Sequence, residues 1–169
     1  MIAALGFFTV PTLTFRVLSC FFVIEHGQRR ILCFHTSVHP TSNWIVQQLR
    51  EAFPFPSPYR SVILGRDAKF SQEVLQFLRS SGLKPIRTSI RSPWQNKVVE
   101  RWVGSCRREL LDHVIPWSEA HLQRLGREYL TSYHEDRSHK GLAKETSVPR
   151  PIQFRPGEMA IAGPRPPDG

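Results

Sequence analysis

RSPWQNKVVERWVGSCRREL, Arg91–Leu110, is the stretch on which the reading of the whole chain turns. Pro93 suits the first turn of a helix, where its missing N–H has no partner to lose. From there Val99, Trp102, Val103, Cys106 and Leu110 recur at steps of three and four, the spacing of one buried helical face. Arg101, Arg107 and Arg108 fall largely elsewhere on that helix. Glu100 lies beside the apolar face in the first or second turn, where a carboxylate can point into a cleft; a solvated glutamate on an ordinary amphipathic helix fits the same periodicity.

Working outward, the N-terminal third is rich in Phe, Val, Leu and Ile. Ala3–Val10 and Thr14–Ile24 read as strands, the second so uniformly apolar that both its faces should be buried. Glu25-His26-Gly27-Gln28 suits a hairpin turn with Gly27 supplying a positive φ, and Arg30–His35 returns as a third strand, giving three consecutive antiparallel strands. Thr41 or Ser42 can cap a helix carrying Trp44, Ile45, Leu49, Ala52 and Phe53 inward. Pro54, Pro56 and Pro58 end it. Ser61–Leu64 is a short fourth strand. Ser71 can cap a helix over Gln72–Ser80 with Val74, Leu75 and Leu78 inward, closed by Gly82. Lys84–Ile90 holds a fifth strand, and after the glutamate-bearing helix another helix runs from about Ser118 to Tyr133. The order β-β-β-α-β-α-β-α-α defines an α/β layered fold with a mixed sheet. The chain shows no internal repeat. One domain over residues 1–150 is expected, with a Pro-rich, disordered tail over 151–169, where Pro156, Pro164, Pro166 and Pro167 follow one another closely.

The chain has 169 residues, enough for one domain with a real core, and 40% hydrophobic residues is a globular value. The net charge is +9, and arginine dominates among the 23 basic residues. Arginine offers a planar fork matched to phosphate, so nucleic acid is the first partner to consider. The charge can also belong to a basic protein without such a partner. Cys20, Cys33 and Cys106 form no C-x-x-C pair and sit in apolar runs, as free thiols in a reducing compartment would. Cys33-x-His35 with His39 matches no standard zinc spacing. MIAALGFFTV lacks the basic start of a signal peptide, and no run approaches the length of a membrane span. A cytoplasmic location is expected.

Pro93, Gln95, Val99, Glu100 and Arg101, as P-x-Q-x-x-x-V-E-R, resemble the helix that carries the last acid of the integrase/transposase catalytic core. FFTVPT (Phe7–Thr12), HPTSNW (His39–Trp44), GRDAKF (Gly65–Phe70) and SYHEDRSHKGL (Ser132–Leu142) are similar to further segments of bacterial insertion-sequence-type, retroviral-integrase-like cores. All five occur in the family's order and together cover nearly the whole chain. The resemblance implies a ribonuclease-H-like fold, a five-stranded mixed sheet flanked by helices. It also implies DNA integration or transposition for a mobile element, DNA as partner with a possible homo-oligomer, and Mg²⁺ or Mn²⁺ as cofactor. Family members usually carry a DNA-binding helix-turn-helix region ahead of the core; Met1 falls directly before the first core strand, so that region is expected to be absent.

The family's chemistry uses an Asp–Asp–Glu triad to hold two divalent ions about 4 Å apart. Here the resemblance places Glu100 at the last acid but Gly6 and Gly65 at the two aspartates. The interval from Gly65 to Glu100 is close to the family's usual one. Asp67, two residues beyond Gly65, is the nearest substitute and a weak metal-ligand candidate beside Glu100. Lys97 stands where the family has glycine and sets a cation near the site, which disfavours a metal and suits a phosphate. Arg91, Lys97, Arg101, Arg107 and Arg108 form one candidate nucleic-acid strip, with Arg137 and His139 as a second edge; for each, a solvated residue or an ion pair with Glu109 or Asp112 is the plainer role. A catalytically impaired core is therefore expected. The alternatives are a non-catalytic DNA-binding or subunit-interaction module, or the remnant of a decayed transposase.

Overall fold

The computed structural model describes residues 1–88 and 96–145, with side chains described through residue 136. The chain divides into two compact units, Met1–Glu135 and Asp136–Gly169, and the first holds the sheet. Its elements are β1 (Ile2–Pro11), β2 (Val17–Glu25), β3 (Ile31–Ser37), α1 (Ser42–Ala52), β4 (Ser61–Leu64), α2 (Gln72–Ser80), β5 (Lys84–Arg87) and α3 (Lys97–Cys106). A π-helical turn (Arg107–Leu111) and α4 (Glu119–Glu145) follow, α4 continuing past the end of this unit.

The five strands form one sheet in the order β3-β2-β1-β4-β5. β1 pairs antiparallel with β2 and β2 with β3, whereas β4 runs parallel to both β1 and β5. This is the mixed sheet expected from three hairpin-joined strands followed by helical crossovers. Eight of the nine residues of β2 are buried, so its side chains supply both faces. On one face Leu5, Phe21, Val23, Val62 and Leu64 pack with α1 and α2 through Ile45, Leu49, Val74 and Leu78. On the other, Ala4, Phe8, Cys20, Phe22 and Ile24 pack with α3 and α4 through Val99, Trp102, Cys106 and Leu122. A bulge between Val23 and Ile24 leaves Leu32 without a partner in the register. It lets Ile31 and Phe34, three residues apart, both join the second face, which strict alternation would forbid.

Several local signals act as the sequence implies. The Thr41 side chain accepts from the Trp44 N–H at 3.2 Å and caps α1. Gly82 takes φ +76° after α2. Others differ. Ser71 precedes α2 without capping it, its hydroxyl lying 2.9 Å from that of Ser42. β2 begins at Val17 because Thr12 ties the turn before it, its hydroxyl donating to the Arg16 carbonyl at 3.0 Å, with Phe15 left-handed at φ 59°. In the next turn the positive φ falls on Arg29 at 55°, not on Gly27. Glu25 is the buried end of β2, accepting from the Tyr59 hydroxyl at 3.4 Å with Arg30 at 3.7 Å. Helix α3 starts at Lys97 after Asn96; Pro93 and the expected continuation of the fifth strand to Ile90 lie outside the described residues. The proposed tail, 151–169, lies outside them as well.

β3 is an edge strand, and α4 covers it. Gln123 accepts from the Thr36 N–H and donates to the Phe34 carbonyl, both at 2.9 Å, and His134 Nε2 accepts from the Ile31 N–H at 3.2 Å. Unpaired edge groups that invite a further strand are thereby satisfied. Gly126 allows the approach: a Cβ there would lie 2.9 Å from Phe34 Cδ1 and closer still to Cε1. Two effects oppose each other in Gly126→Ala. Alanine favours a helix over glycine by about 1 kcal/mol, whereas overpacking costs roughly 1–3 kcal/mol. The Phe34 ring is buried, so overpacking should win, and Gly126→Ala should lower the melting temperature by several degrees. A rise in thermal melting would show that Phe34 gives way.

Candidate active site

The two glycines at the expected aspartate positions are neighbours across the sheet. Leu5 of β1 and Leu64 of β4 are the last parallel pair, and Gly6 and Gly65 each follow by one residue. Their surroundings differ completely. A Cβ on Gly6 would lie 2.7 Å from Phe22 Cε1, closer still to Phe22 Cζ, and 2.8 Å from Val99 Cγ1. Among the described residues, a Cβ on Gly65 would meet nothing within 4 Å. Val99 is buried in the first turn of α3, and Glu100 follows it with an exposed side chain. Among the described residues its carboxylate has no hydrogen bond or ion pair. Asn96, buried just before α3, donates from Nδ2 to the Leu5 carbonyl at 3.5 Å and so ties the start of the helix to β1 beside Gly6.

Asp67 is engaged in its own loop. Its carboxylate accepts from the Lys69 N–H at 3.0 Å and pairs with Lys69 Nζ at 3.3 Å, while its carbonyl accepts from the Phe70 N–H at 3.0 Å. Phe70 is buried against Phe7, with ring centroids 5.4 Å apart, and anchors this turn. The conformation of GRDAKF thus follows from an aspartate-led turn and an aromatic anchor. Any cation approaching Asp67 would have to displace the ammonium of Lys69.

Lys97, Arg101 and Arg108 are all exposed. Their spacing of four and seven places them along one side of α3, away from Val99, Trp102 and Cys106, which are buried. Gly104 lies on the same line, and the Arg108 guanidinium lies over it, 3.2 Å from where a Cβ would be. Arg107 is also exposed, but its guanidinium lies 6.0 Å from the centre of the Phe8 ring. Neither Glu109 nor Asp112 pairs with these arginines among the described residues; Glu109 accepts from the Tyr129 hydroxyl at 3.1 Å. Arg91 and the side chains of Arg137 and His139 lie outside the described residues. A recess of about 460 Å³ opens elsewhere, between the β1–β2 hairpin and residues 107–116; its carboxylate is Asp112, and it includes neither glycine nor Glu100.

Residues 81–146 match the family model described as integrase core domain. The solved structures with a similar fold include the simian T-cell lymphotropic virus intasome in complex with PP2A regulatory subunit B56 gamma. That chain is 14% identical with a TM-score of 0.58, over 66% of this chain and 40% of that one. Another is the HTLV-2 integrase catalytic core domain in complex with magnesium, in a trimeric form, 16% identical with a TM-score of 0.54, over 73% of this chain and 81% of that one. The chain therefore spans less than half the length of the intasome chain it matches. No curated protein matches. The integrase core domain match covers the C-terminal part of the described fold, and the mixed sheet as a whole is similar to that of integrase catalytic cores. Of the five segments, RSPWQNKVVERWVGSCRREL and SYHEDRSHKGL lie within the family match, whereas FFTVPT, HPTSNW and GRDAKF lie outside it.

The donor set here does not fit the two-metal chemistry of that class. Glycine offers no side-chain oxygen, Asp67 pairs with Lys69, and the exposed Glu100 has no partner among the described residues. Among the described residues no group of three His, Cys, Asp or Glu side chains could hold a metal ion. Hard divalent ions bind through several converging oxygens, and one carboxylate does not make a site. A site filled at a hundred times its Kd would stabilise the chain by about 2.7 kcal/mol. Millimolar Mg²⁺ or Mn²⁺ should instead leave the melting temperature where an equal ionic strength of NaCl leaves it. A rise of several degrees specific to the divalent ion, lost in Glu100→Gln, would show a working site.

Proposed function

We propose that this chain is an integrase/transposase catalytic-core protein of a mobile element that holds DNA without cutting or joining it. The observation that carries the DNA part is the exposed row of Lys97 and Arg101 on α3 and Arg108 in the π-helical turn that follows it, set opposite the buried face of α3 and free of acidic partners among the described residues. Phosphates are recognised by such rows through charge and arginine geometry, without regard to base sequence. Arg91 and Arg107 are assigned to the same strip, and Arg137 and His139 to a second edge, a reading that the net charge of +9 supports.

In this class Mg²⁺ or Mn²⁺ would activate the attacking oxygen and stabilise the leaving one when bound. Glu100 is the one residue of the triad that this chain retains, and with Asp67 it offers at most a weak site. The absence of oxygen donors at Gly6 and Gly65 supports a non-catalytic role, either in DNA binding or within a subunit assembly. Self-association belongs to this reading too, since a structurally similar core is trimeric. The three free cysteines, with Cys33 and Cys106 pushed up to about 12 by burial, suit a reducing cytoplasm.

Phosphates neutralised by Lys97, Arg101 and Arg108 alone contribute about −2.7 to the log–log salt slope, a loss of roughly fortyfold in affinity between 50 and 200 mM salt that the other cations steepen. Fluorescence anisotropy with a short duplex of arbitrary sequence should show that fall. The triple change Lys97→Gln, Arg101→Gln, Arg108→Gln should make the slope shallower by about 2.7 while leaving thermal melting near the parent's. Binding that ignores salt, or a triple variant that binds as the parent does, would sink the DNA reading. Strand cleavage by the unmodified chain with Mg²⁺ or Mn²⁺, abolished by Glu100→Gln, would sink the non-catalytic one.

A further inference from the structure

We infer that Phe22 has taken the space of the first metal-ligating side chain, so that an acid cannot be restored at Gly6 unless Phe22 is changed with it. The inference rests on the reading of Gly6 and Gly65 as the former aspartate positions.

Gly6 and Phe22 are direct partners in the β1–β2 register. Side chains on such a pair ordinarily stand side by side on one face. Here one partner has no side chain, and the Phe22 ring leans over the vacant place, meeting Val99 from α3 there. Contacts of 2.7 and 2.8 Å to an added Cβ are closer than carbon atoms tolerate. The ring cannot swing aside, because Phe22 is 0% exposed and its centroid lies 4.2 Å from that of Trp102, itself buried. A carboxylate at position 6 would add to the clash the cost of placing a charge among Phe22, Val99 and Trp102. Glycine inside a strand often marks such a close approach.

Gly65 stands one residue past the end of β4, and a Cβ there would meet nothing within 4 Å among the described residues. The two losses are therefore of different kinds. The one at Gly65 leaves room for a side chain. The one at Gly6 is closed over by the core, which now depends on the absence of a side chain there.

Thermal melting of the full chain tests this through a cycle on Gly6→Ala and Phe22→Val, which carries no charge change. Gly6→Ala alone should lower the melting temperature by roughly 5 °C or more, or give no soluble protein. With Phe22→Val already present, Gly6→Ala should cost little further, so the pair is strongly coupled. Gly65→Asp should melt within about 2 °C of the parent. The triple variant Gly6→Asp, Gly65→Asp, Phe22→Val should gain several degrees on adding Mn²⁺, and the double Gly6→Asp, Gly65→Asp should not. Gly6→Ala melting at the parental temperature, additive penalties, or a double Gly6→Ala, Phe22→Val variant that fails to fold would overturn the inference. Coupling in the cycle with no Mn²⁺ response in the triple variant would overturn the placement of the former metal site on which it rests.

Discussion

The indole of Trp102 holds the helical layer to the sheet. Its ring lies 4.2, 6.0 and 6.1 Å, centre to centre, from those of Phe22, Phe8 and Phe34, residues of three adjacent strands. One side chain thus fixes both the rotation of α3 and its height over the sheet. The magnitudes favour it despite a flaw. Burying an aromatic of this size removes about 200 Å² from water, worth about 5 kcal/mol at 25 cal/mol per Å². Its Nε1 is buried without a hydrogen-bond partner, a cost of about 1–3 kcal/mol. Packing exceeds that cost, and the rotation it imposes turns Lys97, Arg101 and Arg108 outward.

The same rotation sets Val99 against Gly6 and leaves Glu100 in solvent. A helix that presents its glutamate beside two glycines has no reason, electrostatic or steric, to keep the carboxylate turned inward. The charge on this part of the protein is accordingly positive. A surface of that kind favours polyanions over small cations, and its attraction is long-ranged only at low salt.

Much of the fold was legible because burial leaves a period in the sequence. The almost uniformly apolar run in Thr14–Ile24 announced a strand buried on both faces, and the spacing of Val74, Leu75 and Leu78 announced the inward side of α2. Thr41 and Gly82 declared helix ends through chemistry that depends only on neighbours. The candidate site was legible only in part. That Gly6 and Gly65 lack oxygen donors can be read from their letters, and so can the proximity of Asp67. That Phe22 fills Gly6, or that Phe34 requires Gly126, cannot. Those contacts join residues far apart in the chain, through a register set by the Thr12–Arg16 turn and by a bulge, and neither has a periodic signature. The exposure of Glu100 was similarly hidden, because its place beside the apolar face left both orientations open.

The layer under Trp102 also contains its own chemical clock. Cys20 on β2 and Cys106 at the end of α3 are 0% and 1% exposed, and burial raises both thiols well above their ordinary range, Cys106 to about 12. Alkylating reagents attack the thiolate, and a thiol raised so far by burial presents very little of it near neutral pH. In the closed protein these two sulfurs are therefore nearly inert, by ionisation and by access alike. Each becomes an ordinary cysteine only while α3 is lifted from the sheet. The rate at which they take up label consequently counts how often this one layer opens, without any probe being introduced.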